Sequence, residues 1–114
     1  MLRTRRTDSG RAAEAHRSGL FASDTLADTL RTAARCTPDR EVLVDGPVRL
    51  DCRVLHDRSV ALAAAMLARI PVGSVVAMML PNWHEAAIVY HAATLAGMVV
   101  NPILPSLRDR ELDF

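Results

Sequence analysis

The sequence predicts an α/β fold that combines a β-hairpin with a parallel β-α-β unit. Residues 75–80 and 98–103 are short apolar runs with the length of strands in a parallel sheet. The segment between them, from about residue 83 to 96, has the length and composition of a buried helix. A further pair of short strands is predicted on either side of Gly46-Pro47, a dipeptide typical of turns.

The first part of the chain is expected to be helical. Residues 10–20 predict a short helix. A second helix should begin at Asp24 or Thr25, since either side chain can cap it. Leu26 and Leu30 would lie on one face, and the helix should end near residue 36, two residues before a proline.

A hairpin is predicted next. Glu41–Asp45 is predicted as a short strand. Gly46-Pro47 would form the turn, and Val48–Leu50 would return antiparallel to the first strand.

The longest predicted helix follows this hairpin. Asp51 is placed to cap it, and it should run from about Arg53 to Arg69. Leu55, Leu62 and Met66 fall at helical spacing, and the alanines among them have high helix propensity.

The β-α-β unit occupies the rest of the chain. Val75–Leu80 is predicted as a strand buried on both faces, and Asn82 as the cap of a helix from about Trp83 to Ala96. Gly97 suits the end of that helix, and the second strand is Met98–Ile103. The two strands should be parallel, with a right-handed crossover and an unpaired edge on the second strand. Residues 109–114 resemble the first turn of another helix.

Composition limits the classes of function. The chain has 114 residues, half of them apolar, and a net charge of +1, which argues against disorder and against a nucleic-acid partner. All fourteen basic residues are arginine, so no lysine can act as a phosphate-binding ammonium group. Residues 1–11 are arginine-rich and are interpreted as a disordered basic tail. A nucleic-acid or membrane-binding arm is the alternative. Residues 12–114 would then form the folded part.

Membrane and redox classes are also disfavoured. Ala86–Leu104 is uncharged and long enough to span a bilayer, but its change of period favours a buried helix followed by a buried strand. No secretory signal pattern is present. Cys36 and Cys52 form no CxxC pair, so free thiols and a cytoplasmic location are expected, with a disulfide as the alternative.

No catalytic, cofactor-binding or metal-binding residue can be assigned from motifs. His84-Glu85 lacks the second histidine of HExxH, because Ile88 stands in that place and His91 lies two turns along the helix. The five glycines form no GxG cluster, so no phosphate cradle is predicted. Structural or surface roles are therefore expected for both histidines, and no metal site.

The order of these segments resembles the N-terminal part of the acyl-CoA synthetases, which are fatty-acid–CoA ligases of the AMP-binding, adenylate-forming superfamily. The resemblance runs from about residue 12 to the end. It is closest to the branch of cyclohexanecarboxylate–CoA and medium-chain acyl-CoA ligases. The matching motifs are Thr25-Leu26-Ala27-Asp28, Val42-Leu43-Val44-Asp45-Gly46, Leu80-Pro81-Asn82-Trp83, Asn101-Pro102-Ile103-Leu104-Pro105 and Arg108-Asp109-Arg110-Glu111-Leu112.

The resemblance implies a fold and a reaction. The fold would be the beginning of the family's large domain. The family joins a carboxylic acid to CoA through an acyl-adenylate, using ATP, Mg²⁺ and CoA, in lipid metabolism. The family's phosphate loop, later nucleotide-binding motifs and C-terminal lid have no counterpart here, so no ATP, Mg²⁺ or CoA site is expected in this chain. A truncated ligase that is inactive alone is the favoured interpretation. A split ligase completed by a second chain, or a small interaction protein that retains the scaffold, remains open.

Overall fold

The computed structural model describes residues 8–21 and 23–107 and contains four helices and four strands within them. In chain order they are α1 (Ser9–Arg17), α2 (Leu26–Cys36), β1 (Glu41–Asp45), β2 (Val48–Asp51), α3 (Cys52–Leu67), β3 (Val75–Met78), α4 (His84–Leu95) and β4 (Val99–Pro102). Their order and type agree with the predicted α/β fold.

Side-chain caps fix where two of the helices begin. Thr25 and Asp28 form a reciprocal capping box at the start of α2. The Asp51 carboxylate accepts a hydrogen bond of 2.7 Å from the Val54 backbone N–H at the start of α3. Each carboxylate also favours the positive end of the helix dipole. The caps predicted at Thr25 and Asp51 are therefore confirmed.

Strands β1 and β2 form the predicted antiparallel hairpin. Leu43 lies opposite Leu50 and Asp45 lies opposite Val48, with a shift in register between Glu41 and Leu43. Gly46 makes the turn with a φ of 54°, a conformation that is easy only for glycine. The hairpin turns Leu50 inward, where it is 2% exposed.

Strands β3 and β4, which precede and follow α4 in the sequence, pair in parallel as predicted. Val75 lies opposite Val99, and Met78 lies opposite Pro102. Helix α4 ends in a Schellman motif, in which the N–H groups of Gly97 and Met98 donate to the carbonyls of Thr94 and Ala93. Gly97 has a φ of 69°, so the sequence-based assignment of this glycine to the helix end is confirmed.

Two hydrophobic clusters form the core, and α4 contributes to both. The first cluster joins α3, α4 and β4 around Ala63, Ala92, Ala93, Ala96 and Met98. The second joins α2, β2 and α3 around Leu30, Leu50 and Leu55, with Ala87 and Ile88 of α4 packed against it. The alanines at the α3–α4 contact allow the two helix backbones to approach closely. Helix α4 therefore connects the hairpin to the parallel strands.

The prediction that β3 is buried on both faces is wrong for the described residues. Its side chains alternate between exposed and half-buried positions, and Val75 is 65% exposed. Val76 and Val100 pack against the first cluster, whereas Val75 and Val99 point to the opposite face. Both strands are also two residues shorter than predicted. The β3–β4 sheet is therefore covered on one face only within the described part of the chain.

The remaining expectations have mixed outcomes. Helix α1 begins at Ser9, so residues 9–11 of the predicted disordered tail are helical, and residues 1–7 lie outside the described part. The helix predicted over 109–114 also lies outside it. Cys36 and Cys52 are both free, as expected. No helix among residues 8–21 and 23–107 is long and apolar enough to cross a membrane. The predicted crossover handedness stays a prediction.

Candidate functional site

Two of the motifs that carry the family resemblance, Leu80-Pro81-Asn82-Trp83 and Asn101-Pro102-Ile103-Leu104-Pro105, meet at the carboxyl ends of β3 and β4 and are called the family signature below. They enclose a crevice of about 370 Å³ between the β3–α4 connection and the chain after β4. Its lining is almost entirely apolar and consists of Met78, Leu80, Pro81, Asn82, Ala86, Pro102, Ile103, Leu104 and Pro105. In open α/β sheets this end of the strands is the usual place for ligands. The crevice is therefore the first candidate site, with Asn82 as its one polar lining side chain.

A polar cluster lies at the start of α4, where the hairpin approaches the helix. The Asp45 Oδ2 atom accepts a hydrogen bond of 2.9 Å from the His84 backbone N–H. The same oxygen lies 2.8 Å from His84 Nδ1, and Glu85 Oε2 lies 3.1 Å from that nitrogen on the other side. Asp45 and His84 are 39 residues apart in sequence, so the fold brings this cluster together.

The charges of this cluster are set by hydrogen bonding. The hydrogen bonds from the His84 side chain and backbone hold the pKa of Asp45 below its usual value of 3.8. Asp45 is therefore ionised at neutral pH. Both oxygens next to Nδ1 belong to carboxylates, which accept hydrogen bonds when ionised, so these contacts favour the ring form that carries a proton on Nδ1.

The predicted cap at Asn82 is wrong. Trp83 occupies the N-cap position of α4, and its side chain makes no capping hydrogen bond. Asp45 performs the capping role instead, by accepting from the His84 backbone N–H across the hairpin–helix contact. A carboxylate at this position also favours the helix dipole. Asn82 remains free to line the crevice.

The second histidine of α4 does not join this cluster. His91 has a buried Nδ1 with no hydrogen-bond partner in the described structure. Burial lowers the pKa of its imidazole, so the neutral ring is favoured. Its ring packs edge-on against Tyr90, with ring centroids 6.0 Å apart. A packing role agrees with these contacts.

The described residues offer little to bind a nucleotide. The walls of the crevice carry no cationic side chain, and the connection from β3 to α4 contains no glycine. A triphosphate needs several N–H donors or cations around it. The absence of catalytic and cofactor-binding residues from this chain stays a prediction.

Comparison with known proteins gives the class, the adenylate-forming enzymes, and then the family. Residues 30–114 match the family model described as "AMP-binding enzyme". The chain belongs to this family.

Two curated relatives are acid–CoA ligases. The chain is 36% identical over 104 residues to the medium-chain fatty-acid–CoA ligase of Escherichia coli, a match that covers 90% of the chain and 18% of that protein. It is 33% identical over 75 residues to the peroxisomal benzoate–CoA ligase of Arabidopsis thaliana, covering 65% of the chain and 13% of that protein. The chain therefore spans less than a fifth of the length of these relatives.

Solved structures agree with the fold. A protein named as a long-chain-fatty-acid CoA ligase from Rhodopseudomonas palustris superposes with a TM-score of 0.74 at 31% identity, over 78% of this chain and 23% of that one. The N-terminal subdomain of Klebsiella oxytoca NpsA, bound to 3-hydroxyanthranilyl-AMSN, gives a TM-score of 0.74 at 24% identity, over 77% of this chain and 23% of that one. The recognition of an adenylate-forming acyl-CoA synthetase N-terminal portion is confirmed.

Proposed function

We propose that this chain provides the N-terminal scaffold of an acyl-CoA ligase that activates medium-chain aliphatic acids with ATP and CoA. The observation that carries the proposal is the match to the E. coli medium-chain ligase over 90% of the chain. The match to the benzoate ligase is shorter and less identical. Aliphatic acids are therefore the preferred substrate class, and aromatic acids are the alternative that an assay must separate.

The scaffold role follows from what the described residues do. Helix α4 packs against both hydrophobic clusters and holds β3 and β4 in parallel. The β3–β4 sheet leaves one face uncovered, with Val75 65% and Val99 56% exposed. Parallel sheets in folded proteins are normally covered on both faces. This half-covered sheet favours a role as part of a larger assembly with the remainder of a ligase.

We expect the 114-residue chain by itself to release no AMP from ATP in the presence of CoA and a fatty acid. The reason is that stabilising the charge on the transferring phosphate requires cations or N–H donors, and the walls of the crevice carry no cationic side chain. The assay is AMP release with acids of two to sixteen carbons and with benzoate. AMP formation by the purified chain would contradict the scaffold proposal.

A chimera tests the ligase assignment directly. In it, this chain replaces the matching N-terminal segment of the E. coli medium-chain ligase, and consumption of the CoA thiol is measured with octanoate, benzoate and acetate. We expect the chimera to form octanoyl-CoA. Its preference among the three acids reports on the E. coli part, because this chain matches only 18% of that ligase. The same ligase without any N-terminal segment is the control and should be inactive. A chimera that folds cooperatively but forms no acyl-CoA would overturn the proposal that this chain is a ligase scaffold.

A split ligase is the second candidate, and the uncovered sheet favours it as well. It predicts that this chain, added in trans to the E. coli ligase lacking its N-terminal segment, restores acyl-CoA formation. Replacing Val75 by Asp on the uncovered face should abolish that restoration, whereas replacing the exposed Leu20 of the α1 region by Asp should not. Equal activity of both variants would argue against docking through this face.

A further inference from the structure

We propose that Asp45, His84 and Glu85 form a binding site for a divalent metal ion of the zinc class at the junction of the hairpin and α4. They are the one group of three potential metal ligands found among residues 8–21 and 23–107, and their donor atoms lie within 4.8 Å of one another. One donor comes from β1 and two come from α4. No HExxH pattern marks this set, since the third donor is distant in sequence.

The donor types suit this class of ion. Zinc binds imidazole nitrogen and carboxylate oxygen together, whereas magnesium and calcium prefer oxygen alone. Two carboxylates supply a charge of −2, which exceeds the roughly +0.5 charge at the N-terminal end of a helix. The imidazole nitrogen favours a transition metal over magnesium or calcium. The two carboxylates offset the positive charge of the helix end.

The spacing needs an adjustment at each pair of donors, and the oxygens of Asp45 and Glu85, which lie within 4.8 Å of each other, must also come to about 3.3 Å. Bonds of about 2.0–2.1 Å at tetrahedral angles place neighbouring ligand atoms about 3.3 Å apart. Nδ1 lies 2.8 Å from Asp45 Oδ2 and 3.1 Å from Glu85 Oε2. Each pair must therefore separate by a few tenths of an ångström. Glu85 has a side chain that is 54% exposed and can move, and water can take a fourth position.

Metal binding changes the tautomer of the neutral His84 ring. The proton leaves Nδ1 and Nε2 takes one up from solvent, so the neutral imidazole binds the metal through Nδ1 with no net loss of a proton. Asp45 can still accept the hydrogen bond of 2.9 Å from the His84 backbone N–H, which keeps the hairpin and the helix together. The site is therefore compatible with the structural contact already present.

The test uses the full, tag-free chain with Cys36 alkylated, because this exposed thiol could bind zinc independently. Zinc binding is measured by calorimetry, and cobalt binding by its visible absorption. We expect one equivalent per chain and a tetrahedral cobalt spectrum. His84→Asn, which keeps an N–H donor near the position of Nδ1, should weaken binding at least tenfold, and Glu85→Gln should weaken it less.

His56 supplies the matched control, because its Nδ1 lies 3.2 Å from a single carboxylate, that of Asp57. His56→Asn should leave the affinity and stoichiometry unchanged. Circular dichroism confirms that each variant keeps its helix content. Equal losses of affinity in the His84 and His56 variants, or an affinity that His84→Asn does not change, would overturn the proposal. Chimera activity plays no part in this readout, so failure of the metal site is distinguishable from failure of the ligase assignment.

Discussion

Replacing Leu50 by Ala should destabilise the chain more than most single substitutions. Leu50 is 2% exposed and lies in the second hydrophobic cluster with Leu30 and Leu55. The change removes three carbon atoms, and burial of each contributes about 0.8 kcal/mol, or about 2.4 kcal/mol in total. The cavity left behind adds to this loss, so we expect about 3–4 kcal/mol, within the usual range of about 2–5 kcal/mol for such changes.

The measurement is urea unfolding at 25 °C, followed by the helix signal in far-ultraviolet circular dichroism. With a denaturant dependence of about 1.5 kcal/mol per molar urea, the midpoint should fall by about 2 M. The uncovered sheet face places the unfolding free energy of the isolated chain near or below the low end of the usual range of about 5–15 kcal/mol. Trimethylamine oxide in all samples therefore keeps the native baseline measurable.

Leu20→Ala is the matched control, because the same atoms are removed from a side chain that is 78% exposed. Its unfolding free energy should change by less than about 0.5 kcal/mol. A midpoint for Leu50→Ala within about 0.3 M of the parent would refute the reasoning, as would an equal loss in the control. Either result would mean that the second cluster does not stabilise the hairpin against α2 and α3.

Three further comparisons, each of a substitution with its control, test individual contacts by the same urea titration. Asp51→Ala should cost about 1 kcal/mol because it removes the cap of α3, whereas Asn82→Ala should cost less than about 0.5 kcal/mol; equal losses would restore Asn82 as a cap. Gly97→Ala should cost at least about 1–2 kcal/mol from its positive φ alone. It should cost more than Gly46→Ala, because a Cβ at Gly97 meets Val72 Cγ1 at 3.1 Å and a Cβ at Gly46 meets nothing; if crowding matters, Val72→Ala recovers part of the difference. Asp45 has a lowered pKa in the folded chain. Its contribution to stability is therefore complete above about pH 3.8, the usual pKa of the carboxyl, and is lost as the pH falls through its pKa in the folded chain. Asp45→Asn should therefore make the unfolding free energy fall less steeply as the pH drops below about 4. Asp57→Asn is the control, and the same pH dependence in both variants would contradict this prediction.

Much of the fold could be predicted because it depends on neighbours in sequence. The capping box at Thr25 and Asp28 spans four residues, and the Schellman motif at Gly97 is equally local. Helical spacing likewise identified Leu55 as a core residue, and it is 5% exposed. Such signals are complete within one or two turns of chain, so a single sequence contains them.

The parts that sequence reasoning missed depend on distant partners. The cap of α4 comes from Asp45, 39 residues earlier, whereas Asn82 was predicted from its place next to the helix. The uncovered face of β3 has the same origin: an apolar run shows that a strand can be buried on both faces, but not which described elements cover it. The sequence indicated the contact between Asp45 and the start of α4 only indirectly, through the hairpin pattern and the acidic residue at the end of its first strand.

The family signature itself can be explained by structure without chemistry. The N–H groups of Val99 and Ile103 donate to the carbonyls of Ser74, just before β3, and of Met78 at its end, at 2.9 and 2.8 Å. Alternate residues of a parallel strand bond the same neighbour, so position 102 has no N–H to donate to β3 and a proline there costs no hydrogen bond of this pair. Pro81 and Pro102 then wall the crevice from its two sides. Each of these residues has a reason to be where it is that requires no substrate. The signature therefore assigns the chain to a family of ligases through its scaffold and does not identify a substrate.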